Sequence, residues 1–390
     1  MRVLYVNHTA AVSGGERSLL GLLAALDGRA EALLATPPGA LKERAQAAGI
    51  ATAEIVGTAG SLRLHPLHTS RALAEMAVAA RQVRSLVARQ DVQVAHANSI
   101  RAGIVTVAAR APVATVVHVR DCLPPGRVSD ATMRVLSRAT VVVANSSYTA
   151  ESVLRSAASA RVEVVANGID LGVWDPGALD RAQARAALGQ PASDRFLIGI
   201  VAQVTPWKGQ DTAIEALALL CAQGIDAHLL IVGSTKFVAQ ATRFDNRAFA
   251  EALRAQVAEA GLDGRVSWLG EREDVPQLVR ALDALVLPST EEPFGRAVIE
   301  AMALEVPVVA TTVGGPAEMI TDGLEGFLRA PGDARSWAQA LSVLAADPAR
   351  AREMARAGRA RVEQAYTIER HVASMIGVYE RVVRIRRSRP

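Results

Sequence analysis

Cysteine is nearly missing from the sequence. The two present, Cys122 and Cys221, lie far apart and neither belongs to a Cys-x-x-Cys pair. That argues against a disulfide scaffold or a cysteine-held zinc, and a reducing compartment is expected. Aromatic residues are scarce as well, at 4% of the chain. The core must then come from Ala, Val, Leu and Ile, which suits helices packed on a buried sheet. No stretch reaches the roughly 18 uninterrupted apolar residues of a membrane span. The greasiest, residues 213–233, is broken by Glu215, Asp226 and His228. The opening "MRVLYVNH" has too short an apolar run for a signal peptide and meets His8 at once. A soluble, cytoplasmic protein is expected. Nor is there a charge excess to suggest a nucleic-acid partner, with 43 Lys and Arg against 39 Asp and Glu.

What is present is length and alternation. A chain of 390 residues exceeds one ordinary core and points to two domains. In the first half, short β-rich runs (2–8, 31–36, 92–98, 114–119, 140–146 and 162–168) alternate with helical patterns such as 15–26, 69–89, 99–110 and 147–157. The pattern lapses at 171–192, where Pro176, Gly177, Gly189 and Pro191 punctuate a short helix; this reads as an interdomain linker. It then restarts, with strands at 196–204, 228–233, 265–270, 284–289 and 307–311 and helices between and after them. Strand followed by helix, repeated, implies right-handed crossovers and a parallel sheet covered on both faces. The fold class is α/β, two tandem Rossmann-like doubly wound domains facing across a cleft. The domains span 1–172 and 190–369. Ligands in such sheets sit outside the carboxyl ends of the strands, so polar residues there are the candidates.

Several appear. The first strand runs into "TAAVSGGERS", where Gly14 and Gly15 remove side chains just before a helix and would let an anion approach its N–H groups. A plain turn capped by Ser13 reads equally well. No GxGxxG follows, so a dinucleotide fingerprint is absent. His96 and His118 close successive strands, beside Asn98, Arg120 and Asp121. A strand-end histidine can bind substrate, move protons or simply tie down a loop. A zinc on His8, His96 and His118 lacks the usual i+4 pair. In the second half Lys208 precedes Gly209 and a helix, where a compact cation can meet phosphate oxygens. Finally, in "STEEPFGRAVIEAMA" Glu292 falls in a loop and Glu300 inside an apolar helix that starts near Gly295. A carboxylate among Val298, Ile299, Ala301 and Met302 needs a partner.

Together, "SGGE" (13–16), "NGID" (167–170), "TPWKGQD" (205–211), "EEPFGRAVIE" (291–300) and "GGPAEMI" (314–320) resemble retaining glycosyltransferases of the GT-B fold, family GT4, also called glycosyl transferases group 1. The resemblance covers nearly the whole chain, and its most specific part is the Glu-x7-Glu motif, Glu292 and Glu300. It implies sugar transfer from a nucleoside-diphosphate sugar to an acceptor hydroxyl, with no cofactor and no metal. The acceptor would be a glycan, a lipid-linked sugar or a small molecule, held by first-domain loops near 57–68 and 120–130. By the same resemblance Lys208 holds the diphosphate, Glu292 stands at the donor sugar, Glu300 binds the ribose hydroxyls and His118 lies close to the sugar. Gly14, Gly15, Gln203, Phe294 and Gly295 complete the expected donor contacts. Gln203 departs from the family, which often has an arginine there; Arg296 or Arg243 are the candidate substitutes. No DxD-like aspartate pair appears where a metal would bridge the diphosphate. A nucleotide-sugar 2-epimerase, a glycosyl phosphorylase and an inactive binding partner are the competing readings. In this fold the last helix returns to the first domain, which would bury Val382, Val383 and Ile385. The basic end of "YERVVRIRRSRP" alternatively suits peripheral contact with the inner face of a membrane.

Overall fold

The computed structural model describes residues 1–58, 66–188, 195–235 and 244–388. The chain forms two compact units, Met1–Gly168 with Ile368–Pro390, and Ile169–Thr367.

The first unit is built on a seven-stranded parallel sheet. Its strands are β1 (Arg2–Val6), β2 (Glu31–Thr36), β3 (Ala51–Glu54), β4 (Val94–Ala97), β5 (Ala114–Val119), β6 (Val141–Ala144) and β7 (Val162–Val164), in the order β3-β2-β1-β4-β5-β6-β7. Successive side chains point to opposite faces. Val3 and Tyr5 therefore join one core with Val94, Val116 and Val143, while Leu4 and Val6 join the other with Val117, Val119 and Leu136. Both faces are covered, so the central strands read as unbroken apolar runs. The final helix, Ile368–Arg387, closes the first of these cores with Val372, Met375, Val378, Tyr379 and Val382. Val383 packs against its edge, and Ile385 is only half-buried.

The second unit has a six-stranded parallel sheet. Its strands are β8 (Phe196–Val201), β9 (Ala227–Val232), β10 (Val266–Gly270), β11 (Ala284–Leu287), β12 (Val308–Thr311) and β13 (Phe327–Arg329), in the order β10-β9-β8-β11-β12-β13. Trp337 is buried in its core with Ile198, Leu217 and Leu341. Residues 171–188, the described part of the stretch that the sequence pattern reads as linker, belong to this unit. Trp174 is buried, and helix Arg181–Ala187 docks through Arg185 on Asp283 at 3.0 Å. The partner lies far off in sequence, so the punctuated local pattern gives no sign of the docking.

Two strands escape the sequence pattern. β3 is "ATAE" and β13 is "FLR", each too short to show a period of two. Helices Ala40–Ala47 and Arg127–Leu136 join the four named from the sequence pattern. In each sheet the strand order reverses once, between β1 and β4 and between β8 and β11. There the crossover connections diverge and leave room at the carboxyl ends of the strands.

Candidate functional site

The β8/β11 switch point holds the strongest group of charges. After β8 the chain makes a single helical turn, Pro206–Lys208, and after β11 it runs from Ser289 to Gly295 before helix Arg296–Ala303. The two loops are locked together: the Thr290 N–H donates to the Trp207 carbonyl at 2.9 Å. Gly209 sits at φ +70°, and a Cβ there would stand 2.2 Å from the Pro288 carbonyl oxygen. Only glycine allows that approach. The outcome is that Lys208 Nζ donates to Glu292 Oε2 at 2.5 Å, with 13% and 9% of the two side chains exposed. The Ser289 hydroxyl donates to the same oxygen at 3.0 Å. The ammonium also lies 3.9 Å above the Trp207 ring, a cation–π contact.

The glycine pair of "GGPAEMI" has a structural cause. The Glu292 carbonyl accepts from Gly315 N–H at 2.9 Å, and Glu292 and Gly314 form a parallel bridge. Gly314 is at φ +99°, and a Cβ there would lie 2.0 Å from the Glu292 carbonyl oxygen; one on Gly315 would lie 2.3 Å from that of Phe294. These glycines receive the backbone of the motif loop. Gly295, at φ +93°, makes the turn into the helix. Phe294 is buried and meets Tyr366 edge-on at 6.2 Å. Phe294 therefore anchors the loop from inside the core.

Glu300 has the partner that its apolar surroundings require. Arg296, one turn earlier, donates to Glu300 Oε1 from Nε at 3.0 Å and from Nη2 at 2.6 Å. Arg296 is thus engaged with Glu300, and Arg243, the other candidate substitute at Gln203, lies outside the described residues. Gln203 is half-buried, and its carbonyl accepts from Gln210 Nε2 at 2.9 Å. Glu291 is half-buried and engaged in a contact.

The first unit places its residues differently. Gly14 and Gly15 open helix Gly14–Ala24 behind Ser13, whose N–H and hydroxyl both donate to the buried Glu16 carboxylate. Neither glycine has positive φ; a Cβ on Gly14 would meet nothing within 4 Å, and one on Gly15 only the Arg120 Cδ at 3.5 Å. Neither backbone shape nor packing requires glycine at position 14.

His118 is fully buried rather than presented at the strand end. Its ring lies 5.5 Å from that of His96 and 6.3 Å from that of His371, under the C-terminal helix. Arg120 Nη2 donates to its Nδ1 at 3.2 Å. Burial, reinforced by Arg120 and the neighbouring imidazoles, holds its pKa well below the ordinary range. His96 is held low in the same way, and its Nδ1 is 2.6 Å from the Tyr379 hydroxyl. His8 stands apart, bonded to Ser99 at 2.9 Å and pushed down to about 4 by burial and then Arg101. Among the described residues no group of three or more His, Cys, Asp or Glu side chains is placed to hold a metal ion.

Arg120, two residues along from His118, occupies the end of β5. Its Nε donates to Asn98 Oδ1 at 3.2 Å and its Nη1 to Asn167 Oδ1. Asn98 in turn donates to Asn7 Oδ1 at 3.1 Å, and Asn145 Nδ2 donates to the Arg120 carbonyl at 3.4 Å. Asn7, Asn98, Asn145 and Asn167 are all buried. Sequence reasoning named Asn98 and Arg120 but did not join them to Asn7, Asn145 and Asn167, although the signal is visible: strand after strand ends in asparagine, in "YVNH", "HANS", "VANS" and "VANG".

The comparisons with known proteins agree across both units. The Glycosyltransferase Family 4 model matches residues 12–173, and the Glycosyl transferases group 1 model matches residues 181–361. The chain belongs to this glycosyltransferase family. Among similar solved structures is HepE from Anabaena in complex with UDP-glucose, with 25% identity and a TM-score of 0.82 over 97% of this chain and 99% of that one. Its complex with UDP gives 26% identity and a TM-score of 0.81. A D-inositol 3-phosphate glycosyltransferase of Mycolicibacterium vanbaalenii is 36% identical over 58% of this chain. A lipopolysaccharide core biosynthesis mannosyltransferase of Rhizobium meliloti is 33% identical over 57%. The aligned parts span 50% and 61% of those two relatives. The two parallel sheets with flanking helices are the GT-B architecture. No described helix is long and apolar enough to cross a membrane.

Proposed function

We propose that this protein transfers a sugar from a nucleoside-diphosphate sugar to an acceptor hydroxyl, with retention of configuration and without a metal ion. The observation that carries the reading is the ammonium of Lys208 held beside the Glu292 carboxylate at the β8/β11 switch point. Departure of the diphosphate develops negative charge on its oxygens and positive charge on the sugar ring. A preorganised cation and helix N–H groups stabilise the first, without a metal ion. Glu292 accepts from the donor sugar hydroxyls, and Glu300, turned one helical turn further in, accepts from the ribose. Retention follows from the family and fits same-face attack, in which the departing phosphate takes the acceptor proton.

The second unit is then the donor-binding domain, and the first serves the acceptor. UDP and UDP-glucose in the HepE complexes support a nucleotide sugar as co-substrate. At Gly14, where neither conformation nor the packing of the described residues demands glycine, a close-approaching ligand is one reason for it and an ordinary helix start the other. His118, being buried, supports the site through Arg120 rather than by touching the sugar. The exposed Arg384, Arg386 and Arg387 suit an anionic membrane surface, which liposome co-sedimentation with and without residues 386–390 tests.

The reading is tested with UDP-, GDP- and ADP-sugars scored by protection against thermal unfolding, since a ligand of the folded state raises its apparent stability. One nucleotide class should protect, and turnover of that donor should persist in excess EDTA. Loss of activity restored by Mg²⁺ or Mn²⁺ would overturn the metal-free mechanism.

A further inference from the structure

We infer that Glu292 is the resting counter-ion of Lys208 and that donor binding exchanges the partners, with Ser289 as the residue that keeps Glu292 in position. This rests on the reading of Lys208 as a diphosphate ligand. In the structure both donors, Lys208 Nζ and the Ser289 hydroxyl, converge on one oxygen, Glu292 Oε2. Ser289 is fully buried, and the pair is almost closed to water. An ammonium so placed is not a vacant anion site. A diphosphate must compete with Glu292 for it, because both offer anionic oxygen to the same three N–H donors.

The surroundings allow the exchange. Trp207 offers its ring face to the ammonium, an uncharged platform over which Nζ can swing without losing attraction. The backbone of the motif loop stays in place, held by Gly314 and Gly315. Once Lys208 turns to the diphosphate, a buried carboxylate is left short of a donor, which is costly unless another donor arrives. The hydroxyls of the donor sugar are donors of the right kind, and the Ser289 hydroxyl keeps the carboxylate from following the lysine. The nucleoside diphosphate part of the donor thereby switches on recognition of its own sugar. A free sugar, which brings no anion for Lys208, finds Glu292 Oε2 already taken by the ammonium.

The exchange makes an unusual prediction. Removing the Glu292 charge should impair turnover yet tighten binding of the free nucleoside diphosphate, because the competitor for Lys208 is gone. Titration calorimetry of the full chain with UDP, GDP and ADP identifies the diphosphate that binds. For that one, Glu292→Gln should lower Kd by at least about tenfold, the scale of one charge-assisted hydrogen bond. If the amide disturbs the loop, Glu292→Ala carries the same expectation. Ser289→Ala should leave the diphosphate Kd within about twofold and lower kcat, a split that general loosening of the loop would not produce. An unchanged or weaker diphosphate Kd in both folded Glu292 variants, with Lys208→Met still weakening binding, overturns the exchange and leaves the donor site standing. Diphosphate binding unaffected by Lys208→Met overturns the donor-site reading and the exchange together.

Discussion

In the first unit the ends of β1, β4, β6 and β7 carry buried asparagines gathered around Arg120 at the end of β5; at the β8/β11 switch of the second they carry two ion pairs, Lys208–Glu292 and Arg296–Glu300. The architecture is the same in both, a parallel sheet whose order reverses once. It decides where a ligand can sit. The residue types decide what is held. Amides both donate and accept, which suits neutral hydroxyls and rigid loops. Ion pairs place full charges that a phosphate or a sugar hydroxyl can engage, and they demand closer control of the backbone. That demand shows in the glycines: at Gly209 and Gly314 a side chain would strike a carbonyl oxygen, whereas at Gly14 it would strike none of the described residues.

The largest effect expected is on the charged side. Lys208→Ala should reduce turnover about a hundredfold, the usual scale for losing one preorganised charge stabiliser, in a protein that still folds but melts lower, because Glu292 is left buried without its cation. Next, Gly314→Ala should destabilise the protein by more than about 2 kcal/mol in chemical denaturation, because φ +99° and the 2.0 Å approach to Glu292 leave no room for a methyl group.

The amide side should instead respond to acid. His96 and His118 are held below their ordinary value, 6.5, by burial first and by Arg120 second, and His8 is brought to about 4. Unfolded histidines take up protons below about 6.5 while the folded ones refuse them. Stability is therefore complete above that value and is lost as pH falls towards the folded pKa. Each such histidine costs up to about 1.4 kcal/mol per pH unit. Melting temperatures measured from about pH 7.5 down to about pH 5 should fall, and His96→Gln should flatten the slope. A level profile would show that these imidazoles are not refused protons. The smallest structural effect is Gly14→Ala, expected to change stability by less than about 0.5 kcal/mol yet lower turnover, since none of the described residues lies within 4 Å of the new methyl group and a bound ligand would meet it. Unchanged turnover would reduce the glycine there to an ordinary helix start.

Much of this was legible in the residues. Alternating apolar runs identify the parallel sheets, and Lys208, Glu292 and Glu300 stand at the strand ends and in the helix where the motif order puts them. What escaped was whatever depends on partners distant in sequence. His118 ends a strand in the sequence, but its burial depends on a helix some 250 residues later, which brings His371 beside it and Tyr379 against the neighbouring His96. Helix Arg181–Ala187 looks like linker until Asp283 is seen to receive Arg185. Ser289 and Trp207 were plain loop residues until the fold turned one onto Glu292 and the other beneath Lys208. The pairing of Arg296 with Glu300 is four residues long and could have been read from helix spacing alone.

The central claim is that the charged switch point of the second unit holds the donor. Its most direct test is the Kd of the protecting nucleotide sugar, measured by titration calorimetry on the parent and on Lys208→Ala. The account predicts binding weakened at least about tenfold in the variant with its fold intact, the value of one charge-assisted contact to a phosphate. Equal affinity in the two proteins would contradict it.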